Sequence, residues 1–374
     1  MVYLDSAATT LQKPPAVRRA VLSAMERMAS PGRGGHRPAM LAAETAFSCR
    51  EAAAELFHLK DPENVVFTLN ATHALNIAIK STVKPGDTVV VSGYEHNAIT
   101  RPLAALGCHI KVARSPLFDR EGILAAFDRE ITGEVSCVIC THVSNVFGFI
   151  LPVKEIAGMC RERNVPFILD ASQSAGAIPV HMDELGCAFI GMPGHKGLYG
   201  PQGTGLLLCG EGKNTLPLLE GGTGSLSARQ EMPDFLPDRL EAGTHNAPGI
   251  SGLLEGIRFV KRRGEGNILR RERELTHMAV TGLGRIPGIT LYAAEVPENQ
   301  AGVLSFTLEG MDCEEVGEKL GRREVAVRAG LHCAPYAHES AGTIAQGTVR
   351  ASFSDFNTPG DVKRLIQEIS LLAR

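Results

Sequence analysis

A chain of 374 residues, 44% hydrophobic and 21% charged, buries roughly 75% of the surface its unfolded form exposes, which excludes disorder, a collagen-like repeat and a disulfide-stapled miniature. Its 38 Lys and Arg against 41 Asp and Glu leave a net charge of −3, without the basic face that marks a nucleic-acid partner. No stretch of 18 apolar residues and no basic cluster ahead of an apolar run near Met1 occur in the chain, so the expectation is a cytoplasmic protein with neither signal peptide nor membrane helix.

From about residue 60 to 210, short apolar or β-branched runs alternate with helical patterns. The strand candidates are Val65 to Leu69, Thr88 to Ser92, His109 to Ala113, Val135 to Val143, Pro166 to Asp170, Cys187 to Met192 and Thr204 to Cys209. Helices are expected between them, as at Ala71 to Thr82 and Val153 to Arg163. Nearly continuous apolar strands joined by helices predict an α/β fold with a mostly parallel sheet of about seven strands, covered on both faces. After Gly252 the texture changes to one charged helix, Leu253 to about Leu283, followed by β-rich pieces at Ile289 to Ala294 and Gly302 to Gly310. Helices near Cys313 to Arg322 and Asp361 to Ala373 complete the chain. The division expected is a large domain over 1–252, with its N-terminal arm free to pack on the small domain, and a smaller α+β domain over 253–374.

The nine cysteines are odd in number and scattered, which favours reduced thiols. Cys137 and Cys140 form a CxxC, but in a β-like run residues i and i+3 point to opposite faces, so neither metal nor redox work is expected of them. Nucleotide signatures fail too: no GxGxxG follows a strand, and Gly212-Lys213 lacks the phosphate-loop spacing because Leu207 occupies the first glycine site.

In an open parallel sheet, ligands bind outside the carboxyl ends of the strands. There this chain places Asp170 with Gln173, Ser144 with Asn145, and His195 with Lys196. An acid, amides and a lysine at one edge suit an aldehyde cofactor whose carbonyl condenses with the lysine amine, and pyridoxal 5'-phosphate fits best. Glycine is also concentrated here, with 11 of the chain's 40 between Gly191 and Gly224. That density reads as backbone turning sharply and approaching a flat cofactor.

The runs YLDSAATT (from Tyr3), EHNA (Glu95), HVSNVFG (His142), LDASQSAG (Leu169), GHKGLYGPQGTG (Gly194), LEAGTHN (Leu240), VRAGLHCAP (Val327) and VRASFSDFNT (Val349) together resemble the class V aminotransferase family. More narrowly they resemble its cysteine desulfurase and selenocysteine lyase branch, of the second group. The resemblance implies the aspartate-aminotransferase-like fold type I, pyridoxal phosphate as cofactor and a homodimer with shared active sites. Lys196 would hold the cofactor and act as base at the substrate Cα. Asp170 would pair with the ring nitrogen, Gln173 and Asn145 would contact the ring oxygen, and His96 would stack on the ring. The phosphate would be held by the helix start at Ala71 and Thr72, by His195, and by Thr244 from the other subunit. Arg350, with Asn145, would bind the substrate carboxylate, and Arg33 and His36 would line the entrance.

Cys333 would be the thiol that takes the sulfur, with His332 or His96 lowering its pKa or relaying a proton. The chain departs from its relatives at Pro193 and Ala71, where two phosphate-binding hydroxyls are missing. The reaction implied converts L-cysteine to L-alanine, with an enzyme persulfide passing sulfur to an acceptor protein for iron–sulfur or thio-cofactor assembly. Selenocysteine lyase or another β-lyase, such as one acting on cysteine sulfinate, is the alternative. A degenerate non-enzymatic scaffold and a Cys–His hydrolase using Cys333 and His332 are more remote ones.

Overall fold

The structure is a computed structural model that describes residues 1–31, 34–212 and 214–373. In chain order its main elements are β1 (Val2–Tyr3), α1 (Pro15–Arg27), α2 (Arg37–Leu56), β2 (Val65–Thr68), α3 (Ala71–Thr82), β3 (Thr88–Ser92), α4 (Asn97–Ala105), β4 (His109–Ala113), α5 (Arg120–Glu130), β5 (Val135–Thr141), α6 (Val153–Glu162), β6 (Phe167–Asp170), α7 (Met182–Leu185), β7 (Phe189–Pro193) and β8 (Gly205–Cys209). They continue with α8 (Ala247–Arg263), α9 (Glu265–Leu283), β9 (Ile289–Tyr292), β10 (Val303–Leu308), α10 (Cys313–Arg322), β11 (Val325–Ala326), β12 (Arg328–Gly330), α11 (Pro335–Ser340), β13 (Thr348–Ser352) and α12 (Pro359–Leu372).

β2 to β8 form one seven-stranded sheet in the order β2-β8-β7-β6-β5-β3-β4. Neighbours from β7 to β4 pair in parallel, while β8 is antiparallel to both β7 and β2. The exception has a simple cause: only residues 194–204 join β7 to β8, too few for the helical crossover that a parallel pair requires. Helices cover both faces, and the pleat divides each strand between two cores. Val90 and Cys140 pack in one buried cluster, while Val89, Val91 and Cys137 pack in the other. Cys137 and Cys140 thus point to opposite faces of β5, and both are buried free thiols.

Along this sheet β4 is added on one side of β3 and β5 on the other. The connections therefore reverse direction between β3 and β5, and a crevice opens there beyond the carboxyl ends.

The smaller unit is the antiparallel sheet β12-β13-β10-β9 with α9, α10 and α12, closed around a third core that includes Leu275, Phe306, Val316 and Leu365. β1 pairs in parallel with β11, and Leu4 is buried in this same core, so the N-terminal arm belongs to the smaller unit. The single helix expected from Leu253 to Leu283 is two helices, broken at Gly264, whose φ of 80° suits glycine alone. The boundary expected at residue 252 falls inside α8. Leu253, Ile257, Val260 and Ile268 pack with the large core and Leu275 with the small one, which places the change of core between Ile268 and Leu275. Among the described residues no helix is long and apolar enough to cross a membrane.

Candidate active site

The crevice holds a cavity of about 200 Å³ lined by Ala71, Thr72, His96, Asn145, Asp170, Gln173, His195 and Lys196. Eight of the residues singled out in the sequence therefore meet on one surface. The strand ends explain the meeting. Asp170 is the last residue of β6 and 2% exposed, with Oδ1 accepting the Ser172 N–H at 2.9 Å. Lys196 lies just past β7, and burial lowers its ammonium to about 8 against the opposing pull of Asp170. A lysine near that value supplies a neutral amine at a useful concentration.

His96 is the N-cap of α4, and its Nδ1 accepts from the Ala98 N–H at 3.0 Å. The proton of the neutral ring therefore sits on Nε2. Burial, offset by Asp170, pulls its pKa down to about 4, so the ring presents an uncharged face. At the other end of the cavity α3 begins. Asn70 caps it by accepting from the His73 N–H at 2.9 Å, and the first-turn N–H groups have no partner within the helix. A helix start of this kind has the free N–H groups and the dipole to receive an anion such as a phosphate.

An N-terminal strap, which the sequence reading used only as a matching motif, holds these groups in place. Thr9 Oγ1 lies 3.0 Å from His195 Nδ1, and Thr10 Oγ1 donates to the carbonyls of His195 and Lys196 at 3.0 and 3.2 Å. Lys13 donates to the same His195 carbonyl at 3.0 Å, and burial lowers its pKa to about 8. Burial, then the charges of Lys196 and Lys13, take His195 down to about 4. Gln173 Nε2 donates to the Ala7 carbonyl at 3.0 Å. Hydroxyls and backbone groups between residues 5 and 13 carry no periodic signature, so only the fold reveals their work.

Glu95 was also missed. It is fully buried, its Oε1 accepts from Ser92 Oγ at 2.5 Å and from the Thr141 N–H at 2.8 Å, and its Oε2 has no partner among the described residues. It ties the end of β3 to the end of β5, and burial raises its carboxyl to about 8.

Arg350, in β13, is 2% exposed. Its Nη2 donates to Asp5 Oδ1 and its Nη1 to the Asn145 carbonyl, both at 2.8 Å. The buried Nε has no partner among the described residues, an opening for an acidic oxygen. Cys333 is the exposed cysteine of the nine; Cys108 is half-buried and the others are buried. Neither of the two histidines expected to act on Cys333 is a cation near pH 7. His332 Nε2 bonds the Thr348 carbonyl at 3.1 Å, and burial, then the charge of Arg350, take its pKa to about 2, so both histidines are neutral near pH 7.

Of the other described candidates, Arg350, Cys333, Thr244 and His36 do not line this cavity. Thr244 is exposed and lines a separate hollow with Leu69, His73 and His245. His36 is exposed and caps α2, its Nδ1 accepting from the Ala39 N–H at 3.4 Å. Arg33 lies outside the described residues. Two of the glycines make close approaches within the chain. A Cβ at Gly197 would stand 2.4 Å from the Ala175 carbonyl oxygen, and one at Gly194 would stand 2.2 Å from Thr204 Oγ1. Those two glycines let the lysine loop press against its own chain.

Taken as a donor set, a lysine amine of lowered pKa, a buried carboxylate, a neutral imidazole face and a helix N-terminus fit an aldehyde cofactor carrying a phosphate. No group of three or more His, Cys, Asp or Glu able to hold a metal occurs among the described residues.

Comparison with known proteins agrees with this donor set. Residues 2–365 match the family described as aminotransferase class-V. A probable cysteine desulfurase of Methanothermobacter thermautotrophicus is 32% identical over 386 aligned residues, which cover 100% of this chain and 94% of the relative. A cysteine desulfurase of Escherichia coli O157:H7 is 32% identical over 394, with the same coverage. Among solved structures, the apo cysteine desulfurase of Thermococcus onnurineus NA1 superposes with a TM-score of 0.91 at 30% identity, covering 100% of this chain and 94% of that one.

Proposed function

This chain belongs to the class V aminotransferase family, and on that premise we propose that it is a pyridoxal-phosphate-dependent cysteine desulfurase that converts L-cysteine to L-alanine and carries the sulfur on Cys333. The observation that supports this most is the pairing of the Lys196–Asp170–His96 cavity with an exposed thiol whose loop is bonded to the cavity rim, Asn97 N–H donating to the Cys333 carbonyl at 2.7 Å. Bound pyridoxal phosphate supplies an electron-withdrawing ring that stabilises negative charge at the substrate Cα.

The chain's own residues do the rest. The α3 N-terminus with Thr72 and His195 would anchor the phosphate, Asp170 would hold the ring nitrogen protonated, and the neutral face of His96 would fix the ring plane. The unpartnered Nε of Arg350 would take a substrate carboxylate oxygen, with Asp5 holding the guanidinium in place. Lys196, neutral in part near pH 8, would take the Cα proton and return it. The Cys333 thiolate would then form an S–S bond to the substrate sulfur as the Cβ–S bond breaks. The bonding pair stays with Cβ, which gains a proton to become the alanine methyl.

Thr244 is exposed and apart from its own chain's cavity, which supports a homodimer in which it serves the partner's phosphate site. A sulfur acceptor and a role in iron–sulfur or thio-cofactor assembly complete the proposal. The test is Cys333→Ala: sulfide and alanine from cysteine should fall by at least about 100-fold, with the visible absorption of the pyridoxal-phosphate-loaded protein retained. Undiminished sulfide release would end the persulfide assignment. Turnover of cysteine, selenocysteine and cysteine sulfinate side by side separates a desulfurase from a selenocysteine lyase or another β-lyase.

A further inference from the structure

The thiol loop is attached to the cavity by contacts that the steps above do not use. His332 and Cys333 both lie in left-handed backbone, with φ of 50° and 56°, a conformation that residues with a Cβ keep only where the surroundings impose it. The His332 ring is anchored on β13, its Nε2 lying 3.1 Å from the Thr348 carbonyl oxygen and 3.3 Å from Thr348 Oγ1; the loop backbone has fewer ties. Asn145 Nδ2 donates to the His332 carbonyl at 2.8 Å, the Asn97 N–H donates to the Cys333 carbonyl at 2.7 Å, and the Ala334 N–H closes the turn on the Leu331 carbonyl at 2.9 Å. Both outside bonds to the loop backbone come from the cavity rim, Asn97 beside His96 and Asn145 beyond the end of β5. Of the contacts to the loop backbone one alone comes from a side chain outside the loop, and it belongs to a residue 9% exposed that also lines the cavity. The backbone carbonyl of that residue accepts from Arg350 Nη1 at 2.8 Å.

Resting on the proposed function, we infer that Asn145 is a positioning residue for Cys333: its side-chain amide holds the strained thiol loop at the cavity rim while its backbone carbonyl holds Arg350. One residue thereby spaces the group that grips the substrate carboxylate from the group that attacks the substrate sulfur. The distance between those two ends of a cysteine is fixed by its covalent geometry, so a thiol displaced by an ångström loses its line of attack. A substrate whose sulfur group departs without a thiol acceptor, such as cysteine sulfinate leaving sulfite after water adds, needs the carboxylate grip but not the loop.

Asn145→Asp tests this, since it keeps the shape and turns the donor into an oxygen facing the His332 carbonyl; Asn145→Ala, which removes the donor without adding charge, runs beside it. In the pyridoxal-phosphate-loaded protein, amide hydrogen exchange across 331–335 and at Asn97 should rise about 10-fold in both variants, with exchange in β6 and β7 unchanged. Turnover of cysteine should fall at least about 10-fold further than turnover of cysteine sulfinate. Unchanged loop exchange, or an equal loss on the two substrates, overturns the inference. Failure of the unmutated chain to release alanine from either substrate overturns the proposed function instead, and the exchange measurement alone then decides whether Asn145 holds the loop.

Discussion

Asp170, Lys196 and His96 stand at strand ends and a helix cap, within a sheet buried on both faces, whereas Cys333 hangs on a turn of left-handed backbone between β12 and α11. The first region is held by ladders of main-chain hydrogen bonds and two apolar cores; the second relies on a handful of single contacts. Groups that handle a cofactor must keep fixed distances to a rigid ring, and strand ends provide that. A thiol with the proposed task of taking sulfur from a substrate and handing it on has to remain reachable, and exposed loops provide that. The contrast predicts that damage to the first region removes the chemistry altogether, and that damage to the second changes which substrates are served.

The largest effect should come from the rigid region. Lys196→Ala removes the amine that would bind the cofactor and move the Cα proton; cysteine turnover should drop at least about 1,000-fold, and a purified, cofactor-saturated sample should lose the visible band of the unmutated protein. Retention of both would break the contrast at its strong end. A smaller effect is expected at Arg350, which spans the two regions through Asp5 and Asn145. Arg350→Lys leaves a charge but loses the planar fork, so the KM for cysteine should rise about 10-fold, with a lesser change in kcat.

The smallest effect concerns Glu95, and it is one of stability. Burial raises its carboxyl from 4.5 to about 8, so the folded chain retains a proton that the unfolded chain releases across that interval. Its contribution to stability is therefore complete below about pH 4.5 and is lost progressively as pH rises towards 8. Glu95→Gln keeps the acceptor oxygen and removes the titration. The Tm of the variant relative to the unmutated chain should climb by a few degrees between about pH 5 and pH 8, followed by thermal melts at fixed ionic strength. A constant difference across that range would show that the carboxyl does not hold its proton in the fold.

Much of the rigid region was legible in the residues themselves. Seven apolar runs gave the seven strands to within two residues at their ends, because continuous burial needs continuous apolar sequence. Asp170, Asn145 and Lys196 could be picked out because they end such runs or follow them within a few residues. The strap at Asp5, Ala7, Thr9, Thr10 and Lys13 was not, since its bonds to His195, Lys196, Gln173 and Arg350 join residues about 150 to 350 positions apart. The break at Gly264 escaped for a different reason: a glycine inside a charged helical pattern reads equally as a tolerated residue or as a stop, and only packing on two separate cores decides.

Local pattern, together with resemblance to a family, therefore determined the architecture and the candidates at the carboxyl edge of the sheet, because strand burial and strand-end chemistry are both written in consecutive residues. Tertiary structure decided what those candidates touch. It made both histidines beside the thiol neutral through burial, and left one nitrogen of Arg350 unpartnered among the described residues. It also bonded the amide of Asn145 to the loop of a cysteine 188 positions further along the chain. Charge state and hydrogen-bond partner depend on what surrounds a side chain in space, and that neighbourhood is assembled only when distant segments fold together.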